Sequence, residues 1–154
     1  MTNRLQPASK RLNANGLALN YLEWGEPGAL PVVCVHGYTS SAEAFNALAR
    51  RLQDRAHILA FDVRGPGESA WSPEGAYGYA DQAADLAAFV DALVPQPFVL
   101  IGTSMDGIIA MAYAAGHKAR LKRGELVAVP AVGHAPTLVE PAALAAIERF
   151  IAAV

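Results

Sequence analysis

Phe98-Val-Leu-Ile-Gly-Thr-Ser-Met-Asp-Gly107 decides how the chain is read. Phe98 to Ile101 is a short unbroken apolar run between Pro97 and Gly102, the pattern of a strand covered on both faces of a parallel sheet. Ile108 to Ala115 follows, long enough and rich enough in Ala and Met to form a helix. Ser104 falls at the junction. A serine on a sharp strand-to-helix turn is lifted clear of the sheet. It lies beside first-turn N–H groups that have no intrahelical acceptor and can receive a developing oxyanion. The same residues also suit a serine N-cap with glycines for packing, and this stretch alone leaves both readings open.

Working outward, Asn15-Gly16 lies between two short patterned runs from Arg11 to Trp24, a hairpin signal near a sheet edge. Pro31 to Val35 is a continuous apolar run that ends in His36-Gly37-Tyr38. Ser40 or Ser41 is placed to cap a helix with Glu43 in its first turn and Phe45, Leu48 and Leu52 on one face. Ala56 to Phe61 is a third apolar strand, ending in the Gly/Pro-rich loop Asp62-Val-Arg-Gly-Pro-Gly-Glu-Ser69. Tyr79 to Leu93 reads as a helix with Leu86, Phe89, Val90 and Leu93 periodic. The helix after Ser104 ends near Gly116. Glu125 to Val129 reads as a further strand, and Pro141 to Ala153 as a last helix with proline at its first position.

Hairpin strands followed by alternating strand and helix predict an α/β fold. We expect a three-layer sandwich with a mostly parallel sheet and helices on both faces, in one domain spanning 1–154. In such sheets, chemistry sits beyond the carboxyl ends of the strands. His36-Gly37, Asp62, Ser104 and the loop around His134 all follow a predicted strand and are therefore expected along one edge.

The chain has 154 residues, 53% of them hydrophobic and 17% charged, with a net charge of -2. A chain of this length buries roughly 70% of its unfolded surface. The charge balance gives no footing for nucleic acid or for a membrane surface. One cysteine, Cys34, excludes an intrachain disulfide framework and fits a reducing compartment. The polar N-terminus lacks the apolar core of a signal peptide, and no apolar run approaches the ~18 residues that span a bilayer. The expectation is a cytoplasmic protein. No His/Cys/Asp cluster has metal-ligand spacing, and no glycine-rich phosphate loop precedes a lysine, so no metal or cofactor is implied.

Four segments in order resemble the α/β-hydrolase fold family of esterases, lipases and hydrolytic dehalogenases. Val33 to Tyr38 resembles the segment that gives one oxyanion donor. Phe61 to Ser69 resembles the loop after the fourth strand. Gly102 to Gly107 resembles the nucleophile elbow. Val132 to Pro141 resembles the loop that carries the catalytic histidine. The resemblance implies a shortened, minimal form. The helix ending near Gly116 is followed almost at once by Glu125 to Val129, which resembles the last strand, so the lid and the acid-bearing strand are absent. A second departure is Asp106, where the family has glycine. Its bulk predicts a distorted turn or a shifted helix.

The resemblance implies a carboxylesterase acting on short-chain or activated esters, with Ser104 as nucleophile and His134 as base. The amides of Tyr38 and Met105 form the oxyanion hole. The acid is open. Glu125 begins its strand and lies roughly 15 Å from the far end, at ~3.3 Å per residue. Asp106 and Glu140 remain candidates for orienting His134; without either, Ser104 and His134 act as a dyad and activity is weak. The alternative is a catalytically weak or inactive member that binds a small molecule or partner.

Other polar residues are read structurally. His36 orders its own loop. Asp62 and Arg64 pin the loop that follows them as a pair. Cys34 packs, and His57 starts a strand at the end away from the site. His117, Lys118, Arg120, Lys122 and Arg123 form a solvated linker after a helix C-terminus. With the intervening strands gone, Glu125 to Val129 pairs beside Phe98 to Ile101 and presents an apolar sheet edge. The expected outcome is a homodimer or domain swap covering it. Size-exclusion chromatography with light scattering at tens of micromolar should show a dimer mass, and a sharp monomer peak contradicts the reading.

Overall fold

The computed structural model describes residues 6–37, 39–117, 119–120 and 138–153, without the side chains of Met105 and Asp106. Five strands run in chain order: β1 (Ala8–Ala14), β2 (Leu17–Trp24), β3 (Leu30–Val35), β4 (Ala56–Phe61) and β5 (Val99–Gly102). A short 3-10 turn, Ala42–Phe45, leads into α1 (Asn46–Leu52); α2 (Tyr79–Leu93), α3 (Met105–Gly116) and α4 (Pro141–Ala152) complete the helices. The expected strand Glu125 to Val129 lies outside the described residues.

The sheet order is β1-β2-β4-β3-β5. β1 and β2 form an antiparallel hairpin in which Ala14 pairs Leu17 across Asn15 (φ 49°) and Gly16 (φ 77°). Positive φ at both central residues matches the right-handed strand twist, which is why Asn-Gly stands there. β1 begins at Ala8, earlier than the patterned run suggests, because its first four residues are all exposed at the sheet edge and carry no alternation. β2 runs antiparallel to β4, whereas β3 is parallel to both β4 and β5. β3 lies between two parallel neighbours and is buried from Pro31 to Val35, as its unbroken apolar run requires.

Two apolar layers sandwich the sheet. On one face Phe45, Leu48, Leu52, Ala143, Leu144, Ile147 and Ile151 pack with Val32, Cys34 and Ile58. On the other, Leu86, Phe89, Val90, Ile109 and Tyr113 pack with Val33, Val35, Leu59 and Phe61. Alternate residues of β3 thus feed opposite layers, the period-two rule of a strand. Phe89 anchors the second layer, stacked on Phe61 at 5.0 Å and edge-on to Tyr21 at 5.3 Å.

Three local expectations are corrected. First, neither Ser40 nor Ser41 caps a helix by its side chain. Ser41 precedes the 3-10 turn, but the carboxylate of Asp62 reaches across from the end of β4 and accepts the Ala42 amide at 2.6 Å. Second, Asp62 and Arg64 do not act as a pair. Arg64 turns toward α2 and donates through Nε and Nη2 to Asp85 at 2.7 and 2.8 Å, and through Nη1 to the Ala76 carbonyl at 2.8 Å. Third, Arg120 is not a solvated cation. Its guanidinium lies over the Phe98 ring at 5.7 Å, donates to the Val94 carbonyl at the end of α2, and stands 3.7 Å from Asp91. An apolar ring beside a helix C-terminus satisfies both the stem and the charge of an arginine.

Asp85 is fully buried in the apolar stripe of α2 and also accepts from Asn15 Nδ2 at 2.8 Å, so it ties the hairpin turn, the loop after β4 and α2 together. Removing one partner of a buried pair strands the other, at about 3–5 kcal/mol. Asp85→Ala should therefore lower the free energy of unfolding by about 3 kcal/mol in a urea titration. A loss under 1 kcal/mol means the pair does not hold the loop.

Candidate active site

Leaving β3 the chain steps to β4, and leaving β4 it crosses to β5 on the other side of β3. The strand order therefore reverses between β3 and β5, and crevices in open α/β sheets form at the carboxyl ends of the strands where this happens. Gly37 follows β3 there, and Ser104 follows β5. The two lie close together: a Cβ placed on Gly37 would lie 3.4 Å from Ser104 Cβ and 3.6 Å from the Thr103 carbonyl oxygen.

Ser104 is exposed and has φ 57° and ψ −129°. α3 begins at the next residue, and the Gly107 amide donates to the Ser104 carbonyl at 3.0 Å. Ser104 is thus not a side-chain N-cap; no capping bond from its side chain is made. It occupies the strained strand-to-helix turn that raises a hydroxyl above a sheet. Met105 is the first residue of α3, so its amide has no acceptor within the helix. Asp106 lies in the first turn of α3, which starts directly after the strained serine.

Two buried side chains fasten the loops on this edge. His36 is fully buried; its Nδ1 faces the Gly37 carbonyl at 2.9 Å and its Nε2 faces the Val63 amide at 3.1 Å. Burial pushes its pKa down, against the raising effects of the Gly37 carbonyl and of Asp62. Stability linked to neutral His36 is complete above the unfolded histidine value and is lost as pH falls below it, because the unfolded chain then binds a proton that the folded one resists. Asp62 is the second fastener. Besides Ala42, it accepts from Asn20 Nδ2 and from the Glu68 amide, both at 2.9 Å. Gly67 (φ 70°) passes so close that a Cβ there would lie 2.3 Å from the Asp62 carboxyl carbon. Ser69 completes the cluster, donating to the Asp62 carbonyl at 2.6 Å and accepting the Asn20 amide at 2.8 Å.

Of the predicted site residues, Ser104 and the backbone of Met105 stand at the switch point. Tyr38, His134 and Glu125 lie outside the described residues. Glu140 is the residue before α4, with extended backbone and Pro141 next, as a helix-start residue should be. His57 lies at the opposite end of the sheet, 2.7 Å from Glu23. Cys34 is buried in β3, and burial pushes its thiol pKa up, which suits packing and not nucleophilic chemistry. The sequence reading missed Asp85 and Asn20. The signal for Asp85 was available: Gln82 and Asp85 fall on the same stripe of α2 as Leu86 and Phe89, and a polar residue on an apolar stripe implies a partner. Among the described residues no three His, Cys, Asp or Glu side chains form a metal-binding group, and no helix is long and apolar enough to cross a membrane.

Comparison with known proteins agrees with this geometry. Residues 31–151 match the sequence profile of the family described as alpha/beta hydrolase fold. The chain is 36% identical over 126 residues to N-formylmaleamate deformylase of Pseudomonas putida, covering 82% of this chain and 47% of that protein. It is 33% identical over 122 residues to an sn-1-specific diacylglycerol lipase of Mus musculus, covering 78% of this chain and 39% of that protein. Among solved structures, an alpha/beta hydrolase from Novosphingobium aromaticivorans superposes with a TM-score of 0.69 at 30% identity, covering 75% of this chain and 41% of that one. The chain thus spans less than half the length of each of these relatives.

The Asp62 cluster predicts an outcome for Gly67. Gly67→Ala adds both positive-φ strain and a clash with the carboxylate, whereas Gly16→Ala at a similar φ of 77° meets nothing within 4 Å. Left-handed backbone costs a non-glycine residue roughly 1–2 kcal/mol. Urea unfolding should show Gly67→Ala less stable than Gly16→Ala by at least about 1 kcal/mol, and equal losses would mean that Asp62 yields freely.

Proposed function

We propose a serine hydrolase, starting from the fact that the chain belongs to the alpha/beta hydrolase fold family. The observation that carries the reading is the backbone of Ser104: exposed, at φ 57° and ψ −129°, between β5 and α3. A non-glycine residue is held in such a conformation only where its surroundings over-determine it, and such residues cluster at functional sites. The names of the relatives, a deformylase and a lipase, support a hydrolytic reaction at an acyl carbon.

In this reading Ser104 Oγ attacks the carbonyl carbon of a short-chain or activated ester while His134 takes its proton. The Met105 and Tyr38 amides receive the oxyanion. The alcohol leaves with the proton from His134, and water then splits the acyl-enzyme to the carboxylate and free serine. Asp106 or Glu140 orients His134, or the two act as a dyad; losing the orienting acid costs a serine protease about 10⁴ in turnover, so a slow enzyme is expected. The substrate is a small molecule, no cofactor takes part, and the working form is a homodimer in the cytoplasm.

In this reading the enzyme is lidless, with residues 117–140 as the chain between α3 and α4. An open site grips a long acyl chain poorly. Turnover should therefore fall with acyl length, with p-nitrophenyl acetate a better substrate than the palmitate. Ser104→Ala should abolish turnover of the acetate. A pure Ser104→Ala preparation as active as the parent overturns the serine-hydrolase reading in favour of a binding protein. Asp106→Gly restores the residue usual in the family and should raise turnover of the same ester, whereas a sharp fall means that Asp106 orients His134.

A further inference from the structure

The hairpin turn is Asn15-Gly16, and Asn15 is the one asparagine of five that precedes a glycine. Both residues are exposed, and a Cβ placed on Gly16 would meet nothing within 4 Å. Glycine has no side chain to screen its backbone nitrogen, so that nitrogen is open to react with the side chain before it. The asparagine side chain, by contrast, is tied to the interior. A carboxylate only accepts, so it is the amide nitrogen that meets Asp85: Nδ2 donates to Oδ1 at 2.8 Å. Asp85 is fully buried and holds Arg64, whose Nη1 binds the Ala76 carbonyl in the loop after β4. A labile, exposed amide is thus the outermost link of a buried run of contacts that fastens that loop.

We propose that Asn15 is a site of spontaneous deamidation that acts as a one-way release: its bond to Asp85 slows the reaction in the folded chain, and once the amide is lost the loop after β4 is held less firmly. The chemistry needs only water. The Gly16 nitrogen attacks Asn15 Cγ; a C–N bond forms there as the bond from Cγ to Nδ2 breaks, and ammonia leaves with the proton of the Gly16 amide. Water then opens the cyclic imide. Opening at Cγ leaves an aspartate side chain, and opening at the main-chain carbonyl leaves an isoaspartate linkage; either way the chain gains about one dalton. The nitrogen that leaves is the one Asp85 holds, so the hold opposes the reaction. Both products remove the donor and add a carboxylate close to the buried one, where like charges repel. The isoaspartate also adds a carbon to the main chain of a two-residue turn whose register, Ala14 opposite Leu17, leaves no slack. This release is independent of the reaction proposed at Ser104.

Peptide mapping by mass spectrometry reads the site. The folded chain, held near neutral pH, should gain the mass at Asn15 before any other asparagine, and more slowly than the same chain unfolded in guanidinium chloride. No conversion at Asn15 in the folded chain, or equal rates folded and unfolded, overturns the proposal. The release is read by chymotrypsin cleavage after Trp71 and Tyr77, which stand in the loop after β4. Asn15→Asp brings the charge of the product without the longer main chain. It should speed that cleavage at least about tenfold, the worth of one lost hydrogen bond to a buried charge. Asn13→Asp, an exposed change in β1, should leave the rate within about twofold of the parent. Equal acceleration by the two variants reflects added charge alone and overturns the release. If Asn15→Asp does not fold, the partly converted parent decides: cleaved chains should be enriched in the converted form, and equal proportions among cleaved and intact chains overturn the proposal.

Discussion

Ser104 holds a backbone conformation, φ 57° and ψ −129°, that costs a non-glycine residue on the order of 1–3 kcal/mol. That cost has to be offset by what flanks it. Val35 pairs Gly102 in the parallel ladder between β3 and β5, so the chain cannot shift before the turn. α3 starts at Met105 and sends Ile109 and Tyr113 into the buried layer with Phe89, so the chain cannot shift after it. Gly37 lies on the third side, where an added Cβ would come into van der Waals contact with Ser104 and Thr103. Sheet, helix and neighbouring loop leave the serine one place to go, above the carboxyl edge of the sheet.

The remaining loops on that edge are fastened by buried polar groups. Asp62 draws in Asn20 of β2, the amide that opens the turn before α1, and the amide of Glu68. His36 spans from Gly37 to Val63, and Arg64 and Asp85 clamp the loop onto α2. These groups are worth more as a connected set than singly, because each one that loses its partner becomes a buried unsatisfied group. The opposite end of the sheet, well away from Ser104, carries the cluster of Lys10, Glu23 and His57 and the Arg55–Glu148 pair. The asymmetry follows from the fold: loops that carry function must be held by side chains, because their backbone is not in the ladder.

Much of the fold was legible because its buried strands are continuous apolar runs. Pro31 to Val35 and Phe98 to Ile101 were read to within one residue of β3 and β5, Ala56 to Phe61 coincides with β4, and Asn15-Gly16 marks the hairpin turn. Tyr79 to Leu93 coincides with α2 because its apolar spacing and its Asp81 start signal agree. What failed was the pairing of charges. Asp62 and Arg64 are two apart in sequence, which suggests a pair, yet after β4 one turns toward Ala42 and the other toward α2. The basic neighbours of Arg120 suggest a solvated linker, and nothing in the local pattern announces that Phe98 and the end of α2 lie within its reach. The candidate site was legible in part for the same reason. A serine between glycines at a strand–helix junction is a local signal. The approach of Gly37 to it is a tertiary fact that only the order of β3, β4 and β5 supplies.

The central claim is that the strain at Ser104 serves nucleophilic chemistry. Intact-mass and peptide-mapping mass spectrometry after exposure to a fluorophosphonate tests it without any choice of ester. The account predicts one added phosphonyl group per chain, mapped to Ser104 and lost on heat unfolding before exposure. Labelling absent from Ser104, or equal in the native and unfolded chain, would contradict it.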